Sequence, residues 1–189
     1  MKLFFFDLET TGTLVHRHGI HQISGKIIID GKEMEDFDLH VQPNPQAQID
    51  PEALNVAGVT EEQVRAYPPM REIYNIITQK LSKYVDKYDR KDKFYLVGYN
   101  IAAFDNQFFR AFFVQNDDKY FGSWFWPNCL DVYVLATPHL AKMRAEMKDF
   151  KQGTVAKALG IEVDDSKLHD AKYDIDICHA IYDKVCGVY

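Results

Sequence analysis

The chain opens on a short apolar run, Leu3-Phe4-Phe5-Phe6-Asp7-Leu8. Its length and lack of alternation suit one strand buried on both faces at the centre of a sheet. Two further strands are predicted at 20–29 and 33–42, joined by Asp30-Gly31, a pair suited to the positive φ of a tight hairpin turn. Asp50-Pro51 caps and starts a short helix over 51–57 that stops at Gly58. Thr60 and Gln63 form a capping box, with Val59 and Val64 placed as its hydrophobic staple. From 70 to 88, Ile73, Ile76, Ile77, Leu81, Tyr84, Val85 and Tyr88 recur at helical spacing and predict one amphipathic helix. A buried strand follows at 94–98. Helices are expected over 104–115, around 131–136, over 152–159 with a stop at Gly160, and from 170 to 185. Early strands followed by strands alternating with helices describe an α/β fold, a mixed sheet covered by helices.

Composition narrows the class. At 189 residues and 21.9 kDa the chain has the size of one domain, and no repeat, Gly/Ser tract or long charge block divides 1–189. The longest wholly apolar run is about five residues, far below the ~20 that span a bilayer. No basic leader with an apolar stretch and a small-residue cleavage site opens it, so a cytoplasmic protein without a membrane partner is expected. The net charge of -6 argues against a long basic groove for duplex DNA, although a local site or a metal ion can still attract phosphate. Cys129, Cys178 and Cys186 form no C-x-x-C pair and read as reduced thiols.

Two acids stand where apolar residues would be expected. Asp7 and Glu9, two apart on a strand, share one face at the end of an apolar run, where they repel each other and lose hydration. A divalent cation compensates such a pair, and an oxygen-only donor set selects hard ions such as Mg²⁺ or Mn²⁺. The alternative is a strand that ends at Leu8 with both acids solvated. On the last helix, Ala171, Ile175, Cys178, Tyr182 and Val185 define the apolar stripe, and Asp174 lies on it. An acid facing the core needs a cation, a proton or several donors. His169 sits ~140° from Asp174 on a helix, so the two reach one site only if His169 belongs to the preceding loop or first turn. Asp105 alone reads as a helix N-cap, and Asn100 as a turn residue.

Other signals are read as structural. Phe108, Phe109, Phe112 and Phe113 are spaced like the packed face of a helix. Trp124-Phe125-Trp126 is dense enough that one ring could be exposed near a substrate. His16, His18 and His21 are placed in a turn after Gly12, solvated or flanking a substrate. Asp131 reads as a helix cap, and Lys142–Lys151 as a mixed solvated stretch.

Taken together, Asp7-Leu8-Glu9-Thr10-Thr11-Gly12, Asn100-x-x-x-Phe104-Asp105 and His169-x-Ala171-x-x-Asp174 occur in this order in one chain. The set resembles the DEDDh, DnaQ-like family of 3′-5′ exonucleases, which includes polymerase proofreading exonucleases. Weaker likeness covers Gln22-Ile23 and the stretch from Pro43 to Pro69. The spacer before Phe104-Asp105 is longer than in members resembling the proofreading epsilon subunit. In this it is more similar to exonuclease I-type enzymes and the proofreading domains of B-family polymerases.

The resemblance implies a ribonuclease H-like fold, a mixed five-stranded sheet with helices on both faces. It implies that Asp7, Glu9, Asp105 and Asp174 hold two divalent ions, Mg²⁺ or Mn²⁺, and that His169 is the general base. An unperturbed imidazole is largely neutral at pH 7–8, as that role requires. It implies that Thr10, Thr11 and Gly12, with Asn100, lie against the terminal nucleotide. The expected activity is release of nucleoside 5′-monophosphates from 3′ ends of single-stranded nucleic acid, DNA ahead of RNA. Proofreading within a polymerase or replication assembly would be one setting. The alternatives are an RNA-trimming or oligoribonucleotide-degrading enzyme, and a non-catalytic nucleic-acid- or polymerase-binding module of the same fold. Retention of all four acids and the histidine separates the first two from the last.

Overall fold

The computed structural model of the chain describes residues 1–168 and 170–187. Strand β1 (Lys2–Thr10) lies at the centre of a five-stranded sheet. The hairpin strands β2 (Ile20–Ile29) and β3 (Lys32–His40) pair antiparallel on one side of it. On its other side β4 (Tyr95–Gly98) and the two-residue β5 (Leu130–Asp131) run parallel to β1. The order is β3-β2-β1-β4-β5. The hairpin turn falls at Asp30 and Gly31, both at positive φ (49° and 77°). This is the expected mixed sheet. Its fifth strand escapes a periodicity reading because two residues carry no period.

Alternation along β1 sorts the core into two layers. Phe4, Phe6 and Leu8 face one layer and Leu3 and Phe5 the other. On the first face pack α3 (Met70–Ser82), α4 (Asp105–Gln115) and α5 (Phe121–Trp124). On the second pack α6 (Val132–Leu140), α7 (Gln152–Ala158) and α8 (Ala171–Cys186). The short α1 (Pro51–Ala57) and α2 (Glu61–Arg65) lie between β3 and α3, capped at Asp50 and Thr60 as anticipated. Burial of one Phe contributes ~1.5–3 kcal/mol, so the three buried rings of Phe4, Phe5 and Phe6 anchor both layers. Phe108, Phe109, Phe112 and Phe113 are all core residues.

Several boundaries differ from the periodic pattern. α3 ends at Ser82 instead of continuing to 88, and Tyr88 is exposed. There Asp86 accepts from the Tyr88 N–H (3.0 Å) and Asp92 from the Asp86 N–H (3.1 Å), so side-chain acceptors take up N–H groups that helix carbonyls would otherwise receive. α6 runs past 136 through Pro138 to Leu140. The carbonyl that Pro138 leaves without a donor belongs to Val134, which faces solvent. His21, expected in the turn after Gly12, is instead a fully buried residue of β2. Trp124 and Phe125 are core. Trp126, the partly exposed ring, packs 5.9 Å from Tyr95, and Tyr95 pairs with Leu3 at the end of β1 opposite Asp7 and Glu9. No helix among the described residues is long and apolar enough to cross a membrane.

Candidate active site

Beyond Leu3 and Phe5, the next positions on the same face of β1 are Asp7 and Glu9, paired across to Ser24 and Gln22 of β2. The apolar seam under α8 thus ends in two carboxylates. α8 begins over this point: Asp170 caps it by accepting from the Tyr173 N–H (2.9 Å), and Asp174 follows in the first turn. Gln152 of α7 donates to the Asp174 carbonyl (2.6 Å), tying the start of α7 to the start of α8.

Asp105 arrives from the other layer. It is the first residue of α4, with Phe104 in the cap position, so the N-cap role expected of it is not the one it has. Its buried carboxyl receives the backbone N–H groups of Leu8 and of its own residue. The turn that delivers it is held by Asp131, which accepts from the N–H of Asn100 (2.8 Å), of Ala102 (2.9 Å) and of Tyr133 (3.1 Å). Asp131 does cap α6, and it also fixes the 100–102 turn; the sequence discloses only the first role. Asn100 takes the left-handed position of that turn (φ 60°) and is exposed. Gly98 precedes it because a Cβ there would stand 2.9 Å from the Phe6 carbonyl oxygen and overlap Ile101.

The acids of three distant segments act on one another. Burial, then Asp105, Glu9 and Asp174, push the Asp7 carboxyl well above the ordinary carboxylate range. Glu9 is pushed up to about 7 by burial and by Asp174. Asp105 rises to about 7 through burial, opposed by its two N–H donors and reinforced by Glu9 and Asp131. Beneath them lies Cys178 of α8, a fully buried thiol held up by burial and then by Asp7, Asp131, Asp105 and Asp174. One thiol thus lies within electrostatic reach of acids drawn from β1, β5, α4 and α8. Among the described residues, no group of three or more His, Cys, Asp or Glu side chains is gathered tightly enough to grip an ion as it stands. The donor set nevertheless fits a hard divalent cation: all oxygen, partly desolvated, and unfavourable to ionise without added positive charge. His169 lies outside the described residues.

The motif loop after Glu9 is tightly built. Thr10 donates to the Gly12 carbonyl (2.8 Å). Thr11, expected against a substrate, is instead fully buried: its hydroxyl donates to the Gln48 carbonyl (2.7 Å) and accepts from the Gly19 N–H (3.0 Å). Gly12 has φ 151°, and a Cβ there would stand 2.5 Å from the His18 ring. The close neighbour that requires glycine is therefore His18.

Residues 4–182 match the RNase_T family, described as an exonuclease. The chain belongs to the RNase_T exonuclease family. A curated relative of this exonuclease domain, DNA polymerase III PolC-type of Mycoplasmopsis pulmonis (strain UAB CTIP), is 22% identical over 178 residues, 94% of this chain and 11% of that protein. Among solved structures, E. coli exonuclease I in complex with a dT13 oligonucleotide superposes with a TM-score of 0.73 at 21% identity, covering 97% of this chain and 41% of that one. The moderately thermophilic exonuclease I of Methylocaldum szegediense gives 0.75 at 20% identity, covering 98% and 40%. The RNase_T chain thus spans about a tenth of the polymerase and two fifths of exonuclease I. The resemblance to DnaQ-like 3′-5′ exonucleases holds at the level of family, and the ribonuclease H-like fold is shared with exonuclease I.

Proposed function

We propose that this RNase_T domain is a metal-dependent 3′-5′ exonuclease that removes nucleoside 5′-monophosphates from single-stranded ends, DNA in preference to RNA. The observation that carries the reading is the placement of four acids from three distant segments, Asp7 and Glu9 on one face at the end of β1, Asp105 at the start of α4 and Asp174 in the first turn of α8, where burial first and neighbouring carboxylates second raise Asp7, Glu9 and Asp105. A site that disfavours its own carboxylates to this degree is stabilised by positive charge. Asp7, Glu9, Asp105 and Asp174 would hold two Mg²⁺ or Mn²⁺ ions. Bound there, such ions polarise the phosphodiester, lower the pKa of water and neutralise the leaving oxygen.

The chain's own residues do the rest. Asp131 and Gly98 set the turn that keeps Asp105 facing β1. The Thr10–Gly12 backbone and Asn100 flank the terminal nucleotide, Thr11 acting through the loop it fastens. His169, neutral, takes the proton of the attacking water, and the water attacks the terminal phosphodiester in line with the departing 3′ oxygen. Support for a single-stranded DNA substrate comes from exonuclease I, the fold neighbour bound to dT13. The PolC-type relative supports work beside a polymerase, proofreading included.

The test is a set of 5′- and 3′-end-labelled DNA and RNA single strands with Mg²⁺, with Mn²⁺ and with chelator. Shortening from the 3′ end that needs the ion and disappears in Asp7→Ala is expected. Faster RNA loss would turn the preference over. Binding without any shortening would leave the non-catalytic module in its place.

A further inference from the structure

The segment between Gly12 and Gly19 is longer than a turn needs to be, and the fold fastens it at many points. The Thr11 N–H donates to the Gly19 carbonyl (2.8 Å), and those of Arg17 and His18 to the Leu14 carbonyl (2.9 and 2.8 Å). The Leu14 N–H donates to Nδ1 of His18 (2.9 Å), which fixes the tautomer and leaves Nε2 as a donor. The Gln48 N–H donates to the Arg17 carbonyl (2.7 Å), stitching the loop to a second turn in which Asn44 accepts from the Gln46 N–H (2.9 Å). Between the two turns and the last residue of α4 lies a hollow of about 90 Å³, lined by His16, Arg17, His18, Asn44, Gln46 and their neighbours.

The chemistry of that lining runs against the rest of the molecule. The protein carries a net charge of -6, yet no carboxylate lines the hollow. Every cation in the salt bridges among the described residues is another group; the Arg17 guanidinium has no anionic partner there, and Nε2 of His18 has no acceptor. The backbone is ordered before any ligand arrives, so little freedom is lost on binding. The volume equals that of roughly three waters, enough to admit the two non-bridging oxygens of a phosphodiester. Gly12, where a Cβ would stand 2.5 Å from the His18 ring, follows Glu9 of the acid-bearing strand by three residues and so links the hollow to the acid site. α4 reaches the hollow only at Gln115, ten residues along from Asp105, or ~15 Å.

We infer that this hollow binds a backbone phosphate of the single strand upstream of the nucleotide being released, with Arg17 supplying the charge and His18 Nε2–H and the amides of Asn44 and Gln46 the further donors. The inference rests on the nuclease reading and deepens it. It gives the acid site a separate, metal-independent grip on the strand. Phosphate contacts of this type position a strand without reading its bases.

The experiment measures kcat and KM for shortening of a 5′-labelled thymidine oligonucleotide with Mg²⁺ across a series of NaCl concentrations. Arg17→Gln, an exposed position, should raise KM about three- to tenfold and flatten the slope of log(kcat/KM) against log[salt] by about 0.7, the value for one phosphate contact to a single strand. Arg17→Lys should recover the slope. In the parent, one upstream linkage made neutral as a methylphosphonate should raise KM, and the same linkage should add nothing in Arg17→Gln. A parent that shortens the strand, beside an Arg17→Gln protein with unchanged slope and additive methylphosphonate effects, overturns this inference alone. A parent that shortens no strand overturns the nuclease reading and this inference with it.

Discussion

His21 gives a pH dependence whose sign and size follow from its surroundings. The ring is fully buried on β2, and neither ring nitrogen has a hydrogen-bond partner among the described residues. Burial first, then the nearby His40, lower its pKa from 6.5 to about 4. A histidine depressed in the folded state contributes full stability above the unfolded value and loses it as pH falls toward the folded one. Worked through proton linkage, the cost to the fold is about 0.2 kcal/mol at pH 7, about 2 kcal/mol at pH 5 and about 3 kcal/mol at pH 4. His21→Leu removes the titration and the two buried unpaired nitrogens. Urea unfolding of parent and variant in chelator at pH 7 and pH 5 isolates the effect, because Asp7, Glu9 and Asp105, raised in the fold, favour it increasingly as pH falls and do so equally in both proteins. The variant should gain about 2 kcal/mol on the parent between the two pH values, whatever constant packing offset separates them. A difference that stays the same at pH 7 and pH 5 refutes the reasoning. The position matters to the site because the next residue, Gln22, pairs with Glu9, so the strand that loses stability is the one that holds the acids in register.

Gly12→Ala should lower stability by about 1–3 kcal/mol in thermal or urea unfolding and reduce strand shortening, since φ 151° strains any side chain and its Cβ would meet the His18 ring. Asp131→Asn keeps an acceptor for Asn100 and Tyr133 but loses the carboxylate that also receives Ala102. A fall of about 10- to 100-fold in kcat with little change in KM is expected from steady-state kinetics, as for other groups that orient a ligand. Adding Mg²⁺ or Mn²⁺ to chelated protein should raise the melting temperature with ion concentration, by the free energy RT ln(1 + [ion]/Kd), and Asp7→Asn should blunt that response in the same scan.

The sequence discloses elements wherever the side-chain period is long enough to count. Strands β1 to β4 and the helices from α3 onward, the four-residue α5 excepted, are visible as apolar runs or as apolar residues at helical spacing, and Asp7, Glu9 and Asp174 stand out because each interrupts such a pattern. What stays hidden depends on residues far apart in the chain. α3 stops at Ser82 because Asp86 and Asp92 capture nearby N–H groups, not because Tyr84, Val85 and Tyr88 fall out of helical spacing. β5 exists only as the partner of Val97 and Gly98. Thr11 belongs to a motif that suggests substrate contact, yet it is buried under Gln48 and Gly19, 37 and 8 residues away. The hollow at Arg17 is assembled from 15–18, 44–47 and Gln115, and no local pattern joins those stretches.

The placement of the acids follows from the same geometry that builds the core. Period-two alternation on β1 forces positions 3, 5, 7 and 9 onto one face, so a seam that begins with Leu3 and Phe5 under α8 must either stay apolar or change character abruptly at Asp7. It changes at the end of the strand, where β1 stops pairing with β4 after Phe5 and the chain between Gly98 and Asp105 can turn in from the opposite layer. Cys178 of α8 lies buried at that boundary within electrostatic reach of Asp7, Asp105 and Asp174, and Asp174 joins the cluster from the first turn of the same helix. Burial first and the neighbouring carboxylates second hold Glu9 and Asp105 at about 7. A fold that keeps such a cluster in the absence of positive charge gives up stability at neutral pH, and the same imbalance gives affinity to any hard cation that enters. Destabilisation of the empty cluster and attraction for the ion are therefore one quantity, read in opposite directions.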